Sequence, residues 1–189
     1  MFNFYSYKND IFKTSVNPWK VQTSSAVQNV NIIDSTSVEQ IVSEMKKHSK
    51  EIHMKKTSIP NVFSFNFSRD VFFKGNWSEL SKIARGLFIN TTTNEIVARG
   101  YDKFFNFEEG KFNTLDWLKE NIKYPVYAYE KYNGFLGMLG YDSMSDSLIF
   151  CSKSSTSSDF SGWFKEIFNS YWKGNESDLK TLLRNENLC

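Results

Sequence analysis

The stretch Ala84-Arg85-Gly86-Leu87-Phe88-Ile89-Asn90, followed by Thr91-Thr92-Thr93-Asn94 and then Glu95-Ile96-Val97-Ala98-Arg99, decides the fold. Its two apolar runs suit a pleated, half-buried surface. The four polar residues between them suit a tight reversal. That order predicts a β-hairpin with strands at 84–90 and 95–99.

Working outward, Val62–Phe67 alternates weakly after Pro60 and predicts another strand. Ser37 is placed to cap a helix from Val38 to about Ile52, with Val38, Ile41, Val42 and Met45 at helical spacing. Glu39 falls in its first turn, where a negative charge suits the helix dipole. Downstream, Leu115–Ile122 predicts a short helix, with Asn113 and Thr114 as capping candidates. Pro125 ends that connection, and Val126-Tyr127-Ala128-Tyr129 predicts a strand leading directly into Lys131. Two further strands, Phe135–Tyr141 and Ser147–Ser152, flank a turn at Asp142–Asp146. Helices at Ser161–Trp172 and Glu176–Arg184 follow, parted by Lys173-Gly174-Asn175. Residues 1–36 are Asn/Ser/Thr-rich and predict loops, short strands or a terminal helix. Hairpins in the middle with helices at both ends predict an α+β fold, antiparallel sheets with flanking helices. Residues 1–60 are expected to pack on a core formed by 61–189.

Composition narrows the function. Eighteen Phe among 189 residues, and 17% aromatic content overall, supply enough apolar surface for a sizeable core. Twenty-three basic and twenty-one acidic residues give a formal charge of +2. A dedicated phosphate-backbone binder is usually more lopsided, so any grip on phosphate must come from a few placed side chains. The two histidines, His48 and His53, and the two cysteines, Cys151 and Cys189, make no zinc spacing. Both histidines are expected on the polar face of the helix starting at Val38, away from nucleophile chemistry. Cys151 lies in the apolar run Leu148-Ile149-Phe150-Cys151 and is expected to be a buried small hydrophobe. Such cysteine usage points to a reducing, intracellular setting, cytoplasmic or nuclear. No apolar run approaches a membrane span, and the first residues lack a signal-peptide pattern.

The run Glu130-Lys131-Tyr132-Asn133-Gly134 carries the chemistry. Lys131 sits where a strand is expected to meet a turn. A lysine attacks the α-phosphate of ATP only as the neutral amine, so a site using it must depress its pKa by burial or by nearby cations. Gly134 has no Cβ and lets the backbone approach a nucleotide closely. Charge developing on the phosphates needs fixed cations and Mg²⁺, and Arg85, Lys103 and Lys153 are the candidate cations. The pattern Lys-x-x-Gly alone is common. Arg85 and Lys153 also read as ordinary surface charges, Phe104 and Phe105 as adjacent strand residues of which one faces the core, and Asn106 as the start of a turn before Gly110. Trp163, Phe164, Phe168, Tyr171 and Trp172 read either as base-stacking aromatics or as core. Phe164, Phe168, Tyr171 and Trp172 fall on one helical face, which favours core.

Four segments occur in one order: Ala84-Arg85-Gly86-Leu87-Phe88, Arg99-Gly100-Tyr101-Asp102-Lys103-Phe104-Phe105-Asn106, Glu130-Lys131-Tyr132-Asn133-Gly134 and Cys151-Ser152-Lys153-Ser154-Ser155. Together, over about residues 83–160, they resemble the bacteriophage RNA ligases that repair broken tRNA, and more closely the ligase domain of fungal-type tRNA ligases. The Lys-Phe-Phe-Asn run is the most specific element. The resemblance implies a covalent nucleotidyltransferase fold, of which 61–189 is the N-terminal portion. Lys131 becomes the residue that takes AMP from ATP. Arg85 and Lys153 contact ATP phosphates, Lys103 and Phe105 build the pocket beside the nucleophile, and Gly134 keeps that pocket open. Implied partners are ATP, Mg²⁺ and RNA with cleaved-tRNA or single-strand breaks. Ser154 after Lys153 departs mildly from the family, where Gly or His is frequent. The larger departure is that nothing after Lys153 resembles the family's later acidic strand or its Lys-x-Lys strand. The expectation is an N-terminal part of a ligase, a split ligase completed by a second chain, or a non-catalytic remnant. Apolar strand edges are expected to be exposed, and the chain alone is expected to seal RNA weakly or not at all. A capping enzyme using GTP, or a DNA ligase, is the competing use of the same lysine chemistry.

Overall fold

The computed structural model describes residues 37–110, 113–126 and 133–185. The expectations for residues 1–36, for Tyr127–Tyr129 and for Lys131 lie outside the described residues. The elements run α1 (Val38–Lys47), β1 (Ile52–Lys56), β2 (Val62–Phe67), α2 (Arg69–Lys74), α3 (Glu79–Ile83), β3 (Leu87–Asn90), β4 (Glu95–Arg99), α4 (Leu115–Asn121), β5 (Gly137–Asp142), β6 (Ser147–Ser152), α5 (Asp159–Tyr171) and α6 (Glu176–Asn185). This is an α+β fold with two antiparallel sheets. One has four strands in the order β1-β2-β3-β4, and the other is the β5–β6 hairpin.

The four-stranded sheet is covered on both faces. Ile41, Val42 and Met45 of α1 pack with Ile52, Phe65, Ile83, Leu87 and Ile89 in one core. Residues before position 60 therefore share a core with those after it. On the other face, Val62, Phe88, Val97 and Ala98 meet Met138 and Cys151 of the β5–β6 hairpin. Close approach of the two sheets depends on Gly140, where a Cβ would fall on the Val97 carbonyl and the Ala98 methyl. A buried hydrogen bond from Asn90 Nδ2 to Asp142 Oδ1, 2.8 Å, pins the same seam. Phe164 and Phe168 of α5 then cover Phe150 on the outer side of β6. Phe164, Phe168 and the capping Trp172 are half-buried and Tyr171 is exposed, so these aromatics pack along the edge of the hairpin and none of the four reaches the buried core.

The hairpin at 84–99 forms around its polar turn because the Asn90 side chain accepts from Thr92 N and Thr93 N. Its first strand begins at Leu87 rather than Ala84. Ala84 instead caps α3, and Gly86, at φ +63°, turns the chain into the strand. The expected helix to Ile52 stops at Lys47. His48 caps it, while Ile52–Lys56 peels away as β1 and pairs with β2. His53 is thus on an edge strand, not on the helix. That edge carries Lys55 and Lys56, charges of the kind that discourage strand addition. The large exposed apolar residues sit on helices and loops instead, and none falls within a strand among the described residues.

Candidate functional site

The two Arg-Gly pairs are built around one contact. Gly100 N donates to the Gly86 carbonyl at 2.7 Å. A Cβ on either glycine would press to about 3.0–3.1 Å from Met138 Sδ. A side chain at either position would have to push the Met138 tip aside where β5 meets the hairpin, and Gly86 is also held at a φ of +63° that favours glycine. Arg85 and Arg99 flank that joint, both only half-exposed, and Arg99 is paired with Asp102 at 2.8 Å. The segment after Gly100 is irregular rather than a strand, and it is tied back to α3 by Lys103 N donating to the Lys82 carbonyl at 2.9 Å. Strand alternation therefore does not apply to Phe104 and Phe105: Phe104 is exposed and Phe105 half-buried. Asn106 does open a turn, its carbonyl accepting from Glu109 N.

Lys103, Phe105 and Lys153 belong to one connected cluster of cations and rings, and the charge of Arg85 acts on Lys153 from beside it. Lys153 Nζ lies 4.6 Å from the Phe67 ring centroid. Phe67 meets Trp77 edge-on at 4.9 Å, and Trp77 meets Phe105 edge-on at 5.5 Å. Lys103 Nζ sits 4.1 Å above Phe105 and 5.4 Å from Trp77. The Arg85 guanidinium covers Phe104 at 5.2 Å and donates from Nη1 to the Tyr101 carbonyl at 2.9 Å. Gly134, at φ +149°, has open space around its Cα, so its need for glycine is one of backbone conformation. It shares no contact with the cluster among the described residues.

The cations differ in how much of their charge is already answered. Lys103 has a side chain only 10% exposed, is paired with Glu109 at 3.3 Å, and donates to the Phe104 carbonyl at 2.6 Å. The Glu109 carboxyl is held below its ordinary range first by the Asn106 backbone N–H and then by Lys103. Lys103 is therefore a buried strut that fixes Phe105. Lys153 has no carboxylate within ion-pair distance among the described residues. Its pKa is pushed below the ordinary lysine value, first by burial and then by the charge of Arg85. Arg85 is lowered by burial, with Asp102 opposing, and remains a cation at any pH of interest. Two partly desolvated cations that repel each other form a site that an anion would stabilise.

Phe67, Trp77 and Glu109 were not singled out from the sequence. Phe67 reads only as the last residue of a strand, and no periodicity reaches Trp77. The caps around α2 and α3 were the available signal: Ser68 and Ser78 each accept from a backbone N–H three residues on. Gly75 in the left-handed region ends α2. No group of three or more His, Cys, Asp or Glu side chains able to hold a metal comes together among the described residues.

A family model described as RNA ligase matches residues 83–189. The tRNA ligase of Candida albicans (strain SC5314 / ATCC MYA-2876) is 43% identical over 74 residues, a stretch that covers 39% of this chain and spans only 8% of that protein. No solved structure matches the chain significantly.

Proposed function

Because the chain belongs to the RNA ligase family, we propose that it uses Lys131 to take AMP from ATP and hands it on to a broken RNA, within a covalent nucleotidyltransferase fold. The observation that carries this reading is the pair Arg85 and Lys153, two neighbouring cations with no carboxylate within ion-pair distance among the described residues, in the segment that matches the family.

In the first step the neutral Lys131 amine attacks the α-phosphorus. A nitrogen–phosphorus bond forms, the bond to the bridging oxygen breaks, and pyrophosphate leaves with that electron pair while the nitrogen loses a proton. Arg85 and Lys153 hold the phosphates and answer their negative charge. Cations beside a lysine amine also favour its neutral form. Lys103 and Phe105 act through rigidity: the Lys103–Glu109 pair and the Trp77 edge keep the Phe105 ring in place. Mg²⁺ fits as the companion of the nucleotide phosphates. It would neutralise phosphate charge during the transfer.

In the later steps AMP passes to an RNA 5′-phosphate, and a 3′-hydroxyl attacks and releases AMP. Cleaved tRNA is the proposed substrate class, since the curated relative is named a tRNA ligase. A second chain or further sequence completing the site is part of this proposal. Incubation with α-labelled ATP and with labelled GTP tests it. Label from ATP alone supports the ligase reading, whereas label from GTP alone would replace it with a capping-type reaction.

A further inference from the structure

Helix α2 does something unusual with its apolar residues. It is only six residues long, fixed at one end by the Ser68 cap and at the other by Gly75. Val71 is buried beneath it, yet Phe72 and Phe73 are 51% and 79% exposed. Burying such side chains would ordinarily stabilise a fold. Here they stand in water on a firmly capped turn.

The two rings continue the cluster described above. Phe72 lies nearly parallel to Phe67, at 10° and 6.4 Å between centroids. Phe73 stands almost perpendicular to Phe72, at 80° and 5.4 Å. Lys153 Nζ lies over Phe67, the ring at the other end of this run, at 4.6 Å. Exposed rings therefore lead without interruption to the phosphate-facing cations. The charges alongside are complementary to a polyanion. Lys74 is neutralised by Asp70 at 2.8 Å, but Arg69, Arg85 and Lys153 have no carboxylate within 4.0 Å among the described residues.

We infer that Phe72 and Phe73 form a stacking platform for unpaired bases of the RNA substrate, delivering its end to the site of Arg85 and Lys153. This rests on the reading of those two cations as phosphate contacts. Rings receive bases without regard to sequence, because every base has a π-face, while the cations answer the backbone. A broken loop offers the unpaired nucleotides that such a surface takes.

The test uses the full chain and a short fluorescein-labelled oligouridylate, a strand that stacks weakly on itself. Binding is read by anisotropy without ATP, and adenylylation is read separately with α-labelled ATP. Phe73→Ala is expected to weaken oligouridylate binding about tenfold, as expected for one lost base–ring stack. Phe73→Trp is expected to restore it, and both variants should take label as the parent does. Phe73 is exposed, so the fold should tolerate both changes, and circular dichroism checks that. Unchanged RNA binding in Phe73→Ala and Phe72→Ala would overturn the inference, as would loss of self-association in those variants in place of loss of RNA binding. Label with ring-independent RNA binding sinks the platform alone. Ring-dependent RNA binding without label sinks the claim that this chain takes AMP by itself and leaves the platform standing.

Discussion

Lys153→Met separates a phosphate cation from a surface charge. Methionine keeps an unbranched chain over the Phe67 ring but removes the ammonium. Unit charges about 4 Å apart interact by about 4 kcal/mol at an effective dielectric of ~20. Lys153 is open to solvent along part of its length, so that figure is an upper bound. A charged hydrogen bond to phosphate contributes about 1.5–3 kcal/mol net. The expected loss in the rate of lysyl-AMP formation per ATP concentration is therefore about 10- to 150-fold. Stability should respond quite differently. Removing the charge relieves burial and the repulsion from Arg85, and it forfeits a cation–ring contact of about 0.5–1 kcal/mol. These oppose each other, so the melting temperature should barely move. The assay is label accumulation against ATP concentration, alongside thermal unfolding. A variant that labels as fast as the parent refutes the role given to Lys153. One that unfolds refutes the small stability effect expected here.

Three further outcomes are expected. Since its pKa is depressed in the free protein, Lys153 should take up a proton when phosphate binds at a pH near or above that depressed value, and nucleotide affinity should fall as pH rises through it; calorimetry in buffers of differing ionisation enthalpy reads that uptake. The sign for folding is opposite: the folded chain binds fewer protons than the unfolded one between the depressed and ordinary values, so this lysine makes stability rise with pH on the alkaline side. Gly140→Ala drives a methyl into the Val97 carbonyl and should cost about 1–3 kcal/mol or more, read by denaturant unfolding, whereas Gly162→Ala, with open space around it, should cost nothing. Asn90→Ala should destabilise by about 1–3 kcal/mol, because Asp142 keeps its Ser145 bonds but loses the Asn90 donor in a buried seam.

What the sequence revealed follows from where its signals were strong. The 84–99 hairpin, β2, β5–β6 and the last two helices have alternation or helical periodicity set off by polar turns, and all of them form. β1 was hidden because Ile52-His53-Met54-Lys55-Lys56 is an edge strand, polar on its open side and contiguous with a helical pattern. α2 and α3 are too short for periodicity and are held by serine caps. At the site, ordered motifs pointed to Arg85, Lys103, Phe105 and Lys153; the fold links Lys103, Phe105 and Lys153 through ring contacts, and Arg85 reaches Lys153 through its charge alone. The linkers, Phe67 and Trp77, carry no motif. Their part depends on tertiary packing, which spacing along a chain does not encode. Lys103 looked like another free phosphate cation; only the fold shows that Glu109 already answers it.

The most direct measurement is incubation of the chain with α-labelled ATP and Mg²⁺, with Lys131→Ala beside it. The expected result is an acid-stable, protein-linked AMP that is absent from the variant. Label that persists in Lys131→Ala would contradict the account, because the nucleophile would then lie elsewhere.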